Sequence, residues 1–136
     1  MFLEFCYGGD LEQLVKRNGP VPEDIARRYL IELINAIEAL QSKKILHRDL
    51  KLANILLTSE NPAEASIKIA DFGFARFLTD SLAGTQCGSP LYMAPEIFEN
   101  KPKYGHKADI WGIGTILYEI IAAEPAFVCT GLKELL

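Results

Sequence analysis

Apolar residues recur about every four positions between Pro22 and Ser42, which is the spacing of one face of an α-helix. The residues on this face are Ile25, Tyr29, Leu33, Ile37 and Leu40. Pro22 suits the first turn of a helix, and the acids Glu23 and Asp24 follow where the helix dipole favours negative charge. The pattern therefore predicts a long amphipathic helix that ends near Ser42.

Three short apolar runs predict β-strands. They are residues 1–5, 55–57 and 67–69, and their short length favours strands. Asn61-Pro62 lies between the last two runs and favours a turn. The simplest interpretation of these two runs is a β-hairpin.

A short helix is predicted directly after the first run. Gly8-Gly9 favours a turn, Asp10 is a suitable N-cap, and Gln13 stands three residues later in the capping-box position. Asn18-Gly19-Pro20 then ends the helix, because glycine and proline interrupt helical backbone.

The segment from Ala108 to Ala123 is apolar nearly all round, which is typical of a helix buried inside a protein. It is predicted to be the central helix of the core. Residues 74–95 contain Gly, Ser and Thr without a sustained period, and they form a connection longer than is usual in a compact domain. Such loops tend to be functional or mobile.

Composition indicates one globular domain. The chain has 136 residues, of which 49% are hydrophobic and 24% are charged, and this length accommodates a single core. A net charge of -4 without a cluster of Lys and Arg argues against a nucleic-acid partner. Glu119 and Glu124 interrupt the longest apolar run, so no membrane span is expected.

The cysteines Cys6, Cys87 and Cys129 lie far apart, a pattern that fits neither a disulfide framework nor a zinc site. Glu4 stands where a secretory signal would carry positive charge. Both features favour a reducing compartment, the cytosol or the nucleus, and a cytoplasmic location is expected.

Three short motifs carry the chemistry. The first is His47-Arg48-Asp49-Leu50 followed by Asn54, which matches the catalytic-loop pattern H-R-D-L-x-x-x-N. The others are Asp71-Phe72-Gly73, directly after a predicted strand, and Ala94-Pro95-Glu96. Their order and separations are those of a protein kinase.

Phosphoryl transfer explains why these residue types are needed. The reaction depends on placement and charge compensation, because the transferred group passes through a loose, metaphosphate-like state. Asp71 and Asn54 are predicted Mg²⁺ ligands, since a hard cation prefers carboxylate and amide oxygens. Asp49 would accept or orient the proton of the attacking hydroxyl, and Lys51 would meet the transferred phosphate.

Each of these residues taken alone has a plainer interpretation. A single Asp49 or Asp71 would more often be a solvated loop acid, and a single His47 a core histidine with its hydrogen bonds satisfied. Three motifs in order are hard to explain by packing alone. His47 is still interpreted as structural, supporting the loop from beneath.

On these motifs the chain resembles the eukaryotic protein kinase family from about Leu3 to Pro125. The resemblance implies an α+β, protein-kinase-like fold with a mainly helical C-terminal lobe and short β-hairpins, the N-terminal lobe being almost entirely absent. Residues 1–10 would be the hinge, 11–125 the core of the C-terminal lobe with its catalytic loop and activation segment, and 126–136 a truncated tail.

Lys51 after Asp49 resembles the Ser/Thr branch of the family. The implied reaction is transfer of the γ-phosphate of ATP, with Mg²⁺, to a Ser or Thr hydroxyl of a protein substrate. Regulatory protein partners are also implied.

The resemblance also implies a nucleotide site. Leu3 falls at the gatekeeper position, the backbones of Glu4 and Cys6 would face the adenine edge, Asp10 would lie near the ribose, and Leu56 would form the adenine floor. For the Cys6 side chain, a small buried hydrophobe is an equally open interpretation.

Further residues match structural positions of the family. Asp109 matches the buried helix acid that holds the catalytic loop, and Phe72 with His47 matches the internal spine. Glu96 matches the acid that normally pairs with an Arg in a later helix, and that helix is not expected here.

The stretches CGSPLYMAPE and DFGFAR resemble the autophagy-initiating Ulk/Atg kinase group. Thr85 falls at that group's activation-loop phosphosite, and Arg48 could pair with a phosphate there. An ordinary loop threonine is the alternative. Ser89 could contact Asp49 and Lys51, or simply stabilise the turn at Pro90.

The chain departs from the family pattern at two positions. Leu52 stands where Pro is usual, and Gly112 where Ser is usual. Neither removes a ligand, although Gly112 inside a helix costs roughly 1 kcal/mol against Ala.

No glycine-rich loop, strand lysine or partner glutamate helix precedes Met1, although these normally hold the ATP phosphates. We therefore expect a fragment with little turnover of its own, unpaired edges along 1–5, and a core helix that has lost much of its cover. The alternatives are a non-catalytic interaction module that binds partners or competes with its full-length relative, and a small-molecule kinase. CGSPLYMAPE, which resembles a protein-substrate loop, disfavours the latter.

Overall fold

The computed structural model of the chain describes residues 2–77, 90–98 and 105–128. Its helices are α1 (Leu11–Asn18), α2 (Glu23–Ser42), α3 (Pro95–Phe98) and α4 (Lys107–Ala122), and its strands are β1 (Ile45–Leu46), β2 (Ile55–Leu57), β3 (Ile67–Ile69) and β4 (Arg76–Phe77). Short 3₁₀ turns occupy Leu52–Asn54, Phe72–Phe74 and Pro90–Tyr92. The predicted α+β fold, mainly helical with short strand pairs, is confirmed.

Local signals in the sequence set both ends of α1. The Asp10 carboxylate accepts a hydrogen bond of 2.8 Å from the Gln13 N–H, as an N-cap should. At the other end Gly19 adopts a left-handed φ of 76° and donates to the Val15 carbonyl, a conformation that glycine reaches without steric cost. The predicted turn, cap and stop are confirmed.

The long helix α2 packs its apolar face against α4. Tyr29, Leu33 and Ile37 are buried in the same core cluster as Ile116 and Ile120 of α4. The predicted amphipathic face and the predicted end at Ser42 are both confirmed, because a pattern repeated over five turns of helix leaves little ambiguity.

The core helix α4 is not buried all round. Ile110, Tyr118 and Ile121 are each about half exposed, because the face opposite α2 has no covering element among the described residues. Among the described residues, the predicted burial of this helix is therefore limited to the side that faces α2.

The predicted hairpin is confirmed as the antiparallel pair β2–β3, with Leu56 opposite Lys68. Helix α2 holds its turn in place. Arg28 donates to the Pro62 carbonyl at 2.7 Å, and the Tyr29 hydroxyl donates to the same carbonyl at 2.8 Å. The hairpin is thus fixed on the core beside the functional motifs.

The predicted strand at 1–5 is not formed by residues 2–5. A strand needs a neighbour for its backbone groups, and no described element runs alongside these residues. Backbone hydrogen bonds to the hairpin begin further on, where the Gly8 N–H donates to the Leu57 carbonyl and the Leu57 N–H donates to the Gly9 carbonyl. The pair β1–β4 was not predicted, since two-residue strands carry no period.

None of the helices in the described ranges has the length and apolar character needed to cross a membrane.

Candidate active site

One buried carboxylate anchors the loop that carries the first motif. Asp109, in the first turn of α4, accepts the His47 N–H at 3.0 Å on one oxygen and the Arg48 N–H at 3.0 Å on the other. Arg48 has a left-handed φ of 71°, which a side chain with a Cβ rarely adopts unless surrounding bonds enforce it. Asp109 thus binds two consecutive backbone N–H groups of this loop.

Asp49, Lys51 and Asn54 form a connected group. The buried Asp49 carboxylate lies 2.9 Å from the Lys51 ammonium. The Asn54 amide nitrogen lies 2.8 Å from the Asp49 carbonyl and 3.1 Å from its carboxylate. A buried charge needs such partners, and here they also fix the direction of the carboxylate.

His47 lies beneath this loop and is fully buried. Its Nε2 is 3.0 Å from the Ala70 carbonyl, and its Nδ1 accepts the Asp49 N–H at 3.4 Å. These partners suit a ring that carries its proton on Nε2. The ring also meets Phe72 edge-to-face, with centroids 4.9 Å apart. His47 thus connects the catalytic loop to the second motif.

Asp71 is brought beside Asn54 by the hairpin, because the Ala70 N–H donates to the Asn54 carbonyl at 2.8 Å. Asp71 has a left-handed φ of 61°, and its Oδ1 accepts the Gly73 N–H at 3.2 Å. A Cβ at Gly73 would lie 3.0 Å from that oxygen. Glycine therefore leaves the carboxylate of Asp71 room to face outwards.

These residues suit a magnesium ion. Both hydrogens of the Asn54 amide point to Asp49, so the Asn54 Oδ1 is directed elsewhere and can act as a ligand. Asp71 adds an exposed carboxylate. Within the described ranges no three His, Cys, Asp or Glu side chains cluster as a metal site would. Mg²⁺ tolerates this, since it takes one or two protein ligands with waters and phosphates.

A cavity of about 630 Å³ joins the hinge residues to the second motif. Its walls include Leu3, Glu4, Cys6, Leu56, Asp71 and Phe72, all singled out in the sequence. Asp10 is not one of these walls, but a backbone bridge joins it to Leu56, which is. Asp49 and Asn54 do not line the cavity, but the Asn54 carbonyl accepts the N–H of Ala70, which does.

The remaining predicted residues divide into two groups. Glu96 is partly buried on α3, and Arg48 is buried beside Asp49 and Asp109. Thr85, like Cys87, Ser89 and Cys129, lies outside the described residues, so its pairing with Arg48 stays a prediction.

Gly112 allows α4 to approach the catalytic loop. A Cβ at this position would lie 3.2 Å from the Leu50 Cβ, closer than most side chains pack. The departure from Ser thus coincides with the point where helix and loop meet.

Two contacts near the site were not predicted. The Tyr92 hydroxyl donates to the Glu119 carboxylate at 2.5 Å, and Lys68 lies 3.2 Å from Glu4. Burial raises the pKa of Tyr92 well above its usual value, and the neighbouring Glu119 raises it further. No sequence signal links these residues, because each pair is far apart along the chain and follows no motif.

The protein kinase domain family matches residues 1–134. Similar proteins include the serine/threonine-protein kinase ATG1a of Arabidopsis thaliana, 48% identical over 93% of this chain. Others are unc-51 of Caenorhabditis elegans, 44% identical over 94% of the chain, and ULK1 of Homo sapiens, 42% identical over 99%. The chain spans about a fifth or less of the length of these relatives, namely 20%, 16% and 13%. The predicted resemblance to the Ulk/Atg group is confirmed.

Proposed function

Because the chain belongs to the protein kinase family, we propose that it transfers the γ-phosphate of ATP to Ser or Thr hydroxyls of proteins, as part of a longer catalytic unit. The observation that carries the proposal is the connected group of Asp49, Lys51 and Asn54. An interaction module that only binds partners would not require Lys51 to converge on the two buried polar side chains of Asp49 and Asn54.

The proposed mechanism uses placement and charge. Asp49 accepts a hydrogen bond from the attacking hydroxyl and aligns the hydroxyl with the phosphorus of the γ-phosphate. Lys51 offsets the negative charge of the phosphate that is transferred. Asn54 Oδ1 and the Asp71 carboxylate would hold Mg²⁺, which supplies charge neutralisation for the ATP phosphates. His47 and Asp109 act on the backbone and keep the loop from drifting.

Nucleotide recognition is proposed for the cavity of about 630 Å³. The backbones of Glu4 and Cys6 would face the adenine edge, Leu56 would support its flat face, and Asp10 would lie near the ribose. The apolar walls favour a planar base, and the carboxylate of Asp71 lies at the end where phosphates would meet the cation.

A role in the initiation of autophagy is proposed from the relatives named ATG1a and ULK1. With it come a cytoplasmic location, a protein substrate and regulatory protein partners. Thr85 is the proposed phosphosite and Arg48 its partner, since a guanidinium near the catalytic loop would form charge-assisted hydrogen bonds with a phosphate there.

The proposal is tested in a chimera in which this chain replaces the matching segment of Arabidopsis ATG1a. Asp49→Asn keeps the size of the side chain but removes the charge, and we expect the turnover number on a Ser/Thr peptide to fall by about 10²- to 10⁴-fold. Asp24→Asn, on the exposed start of α2, is the matched control and should change nothing.

An Asp49→Asn chimera that retains turnover within tenfold of the parent would contradict the proposed mechanism. A chimera that folds and binds MgATP but phosphorylates neither peptide nor protein would favour the interaction module. Turnover on free sugars or choline in place of peptide would favour a small-molecule kinase.

A further inference from the structure

We propose that the ion pair between Lys68 and Glu4 is a latch that positions the hinge segment, residues 2–7, against the nucleotide cavity. The inference rests on the proposed function, which gives this segment the recognition of adenine. Glu4 is predicted to act only through its backbone, and Lys68 has no predicted role. The latch makes both side chains positioning residues for nucleotide binding.

The pair spans two walls of the cavity. Lys68 lies on β3 directly opposite Leu56 of β2, so the two side chains share one face of the hairpin. Both residues line the cavity, and Glu4 lines it from the hinge segment. The Lys68 ammonium and the Glu4 carboxylate are 3.2 Å apart. The contact therefore connects the proposed floor of the site to its proposed recognition edge.

The hinge segment has few other polar attachments. Besides the ion pair, the polar contact seen for residues 2–7 within the described ranges is a local one, the bond of 3.4 Å from the Gly9 N–H to the Cys6 carbonyl. Phe5 and Tyr7 contact each other, with ring centroids 4.9 Å apart. Backbone pairing with β2 begins only at Gly8, whose N–H donates to the Leu57 carbonyl. The segment is thus held at one end by backbone and near the other by Lys68.

The exposure of the two charged side chains determines the strength of the latch. The Lys68 and Glu4 side chains are 48% and 62% exposed, and exposed pairs are weak and screened by salt. The latch therefore adds little to global stability and acts on local position. Breaking it should raise the population of displaced hinge segment by about two- to fivefold.

Cys6 reports the position of the segment, because it lies within it, lines the cavity and is partly buried. We would replace Cys87 and Cys129 by Ser and measure the rate at which an uncharged maleimide labels Cys6. Glu4→Gln and Lys68→Gln should each raise this rate about two- to fivefold. The exchanged pair, Glu4→Lys with Lys68→Glu, and the conservative Lys68→Arg should restore the parent rate.

The two single variants separate a latch from a simple charge effect. If the charges act only on the thiolate fraction of Cys6, removing an acid and removing a base change the labelling rate in opposite directions. That result would overturn the proposal. Lys16→Gln is the matched control, since it breaks an equally exposed pair with Glu12 on α1, and it should leave the rate unchanged.

Salt gives a test that needs no charge variant. The parent rate should rise with KCl towards that of Glu4→Gln, whereas the Glu4→Gln rate should stay constant. A parent rate that does not respond to salt overturns the latch.

The link to nucleotide binding is tested in the chimera with ATG1a. Lys68→Gln should raise the KM for ATP about two- to fivefold and leave kcat unchanged, and Lys68→Arg should restore KM. An unchanged KM overturns the positioning role. The labelling of Cys6 requires no turnover, so failure of the proposed function and failure of the latch give different results.

Discussion

The Asp109 side chain makes two hydrogen bonds to the catalytic loop, because each of its oxygens accepts one backbone N–H. Asp109→Asn keeps the shape but turns one acceptor into a donor. One buried amide then loses its partner, and we expect a loss of about 1 to 3 kcal/mol in the free energy of unfolding. Urea denaturation of the chain measures it.

The exposed Asp24→Asn is the control for this substitution, because it makes the same chemical change on the surface of α2. If Asp109→Asn were no more destabilising than Asp24→Asn, the two amides would not depend on the carboxylate. The catalytic loop would then be held by other contacts.

Tyr92 should make the stability of the folded chain depend on pH in the alkaline range. Burial and the Glu119 carboxylate raise its pKa above the ordinary value of 10.0, so the folded state keeps the phenolic proton where the unfolded state loses it. This contribution to stability is complete below pH 10 and declines above it. The decline should approach about 1.4 kcal/mol per pH unit.

Tyr92→Phe should therefore reduce the slope of unfolding free energy against pH between pH 10 and 11, at a cost near pH 8 of about 1 kcal/mol. Urea denaturation at several pH values measures both quantities. Tyr7→Phe, on an exposed residue, is the control. An unaltered slope in Tyr92→Phe would mean that another group governs the alkaline loss.

Among the elements, α4 offers a matched pair of glycines. A Cβ at Gly114 would meet nothing within 4 Å, whereas one at Gly112 would lie 3.2 Å from the Leu50 Cβ. Gly114→Ala should stabilise the chain by about 0.5 to 1 kcal/mol through helix propensity. Gly112→Ala gains the same helix propensity, but the added methyl group crowds the Leu50 side chain. The crowding outweighs the gain, and we expect a net destabilisation of about 0 to 2 kcal/mol.

Thermal and urea unfolding of the two variants test this comparison directly, since they make the same substitution on one helix. Equal stabilisation by both would show that the catalytic loop yields to the added methyl group. The close approach of α4 and Leu50 would then be a loose contact.

The elements also show what a sequence can and cannot predict. The bounds of α2, β2 and β3 follow from repeated spacing and turn residues, and the structure agrees with them. Residues 2–5 have the composition of a strand but no neighbour in the described part of the chain. The strands β1 and β4 have two residues each, which is too short for any pattern.

The candidate site divides in the same way. Asp49, Asn54 and Asp71 were found from motifs, and the structure brings them into one neighbourhood, although their catalytic roles remain proposals. The pairs formed by Tyr92 with Glu119 and by Lys68 with Glu4 belong to no motif. Only the folded arrangement of distant segments reveals them.

At the scale of the whole molecule, two sets of residues matter: those that would act on the transferred phosphate and those that would hold ATP in place. The sequence contains the former but no glycine-rich loop or strand lysine. We expect the isolated 136-residue chain to phosphorylate a Ser/Thr peptide more than tenfold more slowly than the chimera, because a glycine-rich loop and a strand lysine normally hold the ATP phosphates.

Initial rates at saturating MgATP measure this difference, with Asp49→Asn in both proteins to define the background. A rate for the isolated chain within tenfold of the chimera would mean that its own residues suffice to place the phosphate.

The anchoring of the catalytic loop by Asp109 has a consequence for biosynthesis. The acceptor lies 62 residues after His47, and ribosomes add about 5 to 20 residues per second. The loop is therefore made roughly 3 to 12 seconds before the carboxylate that holds it. During that interval the nascent loop lacks both of its hydrogen bonds to the Asp109 carboxylate.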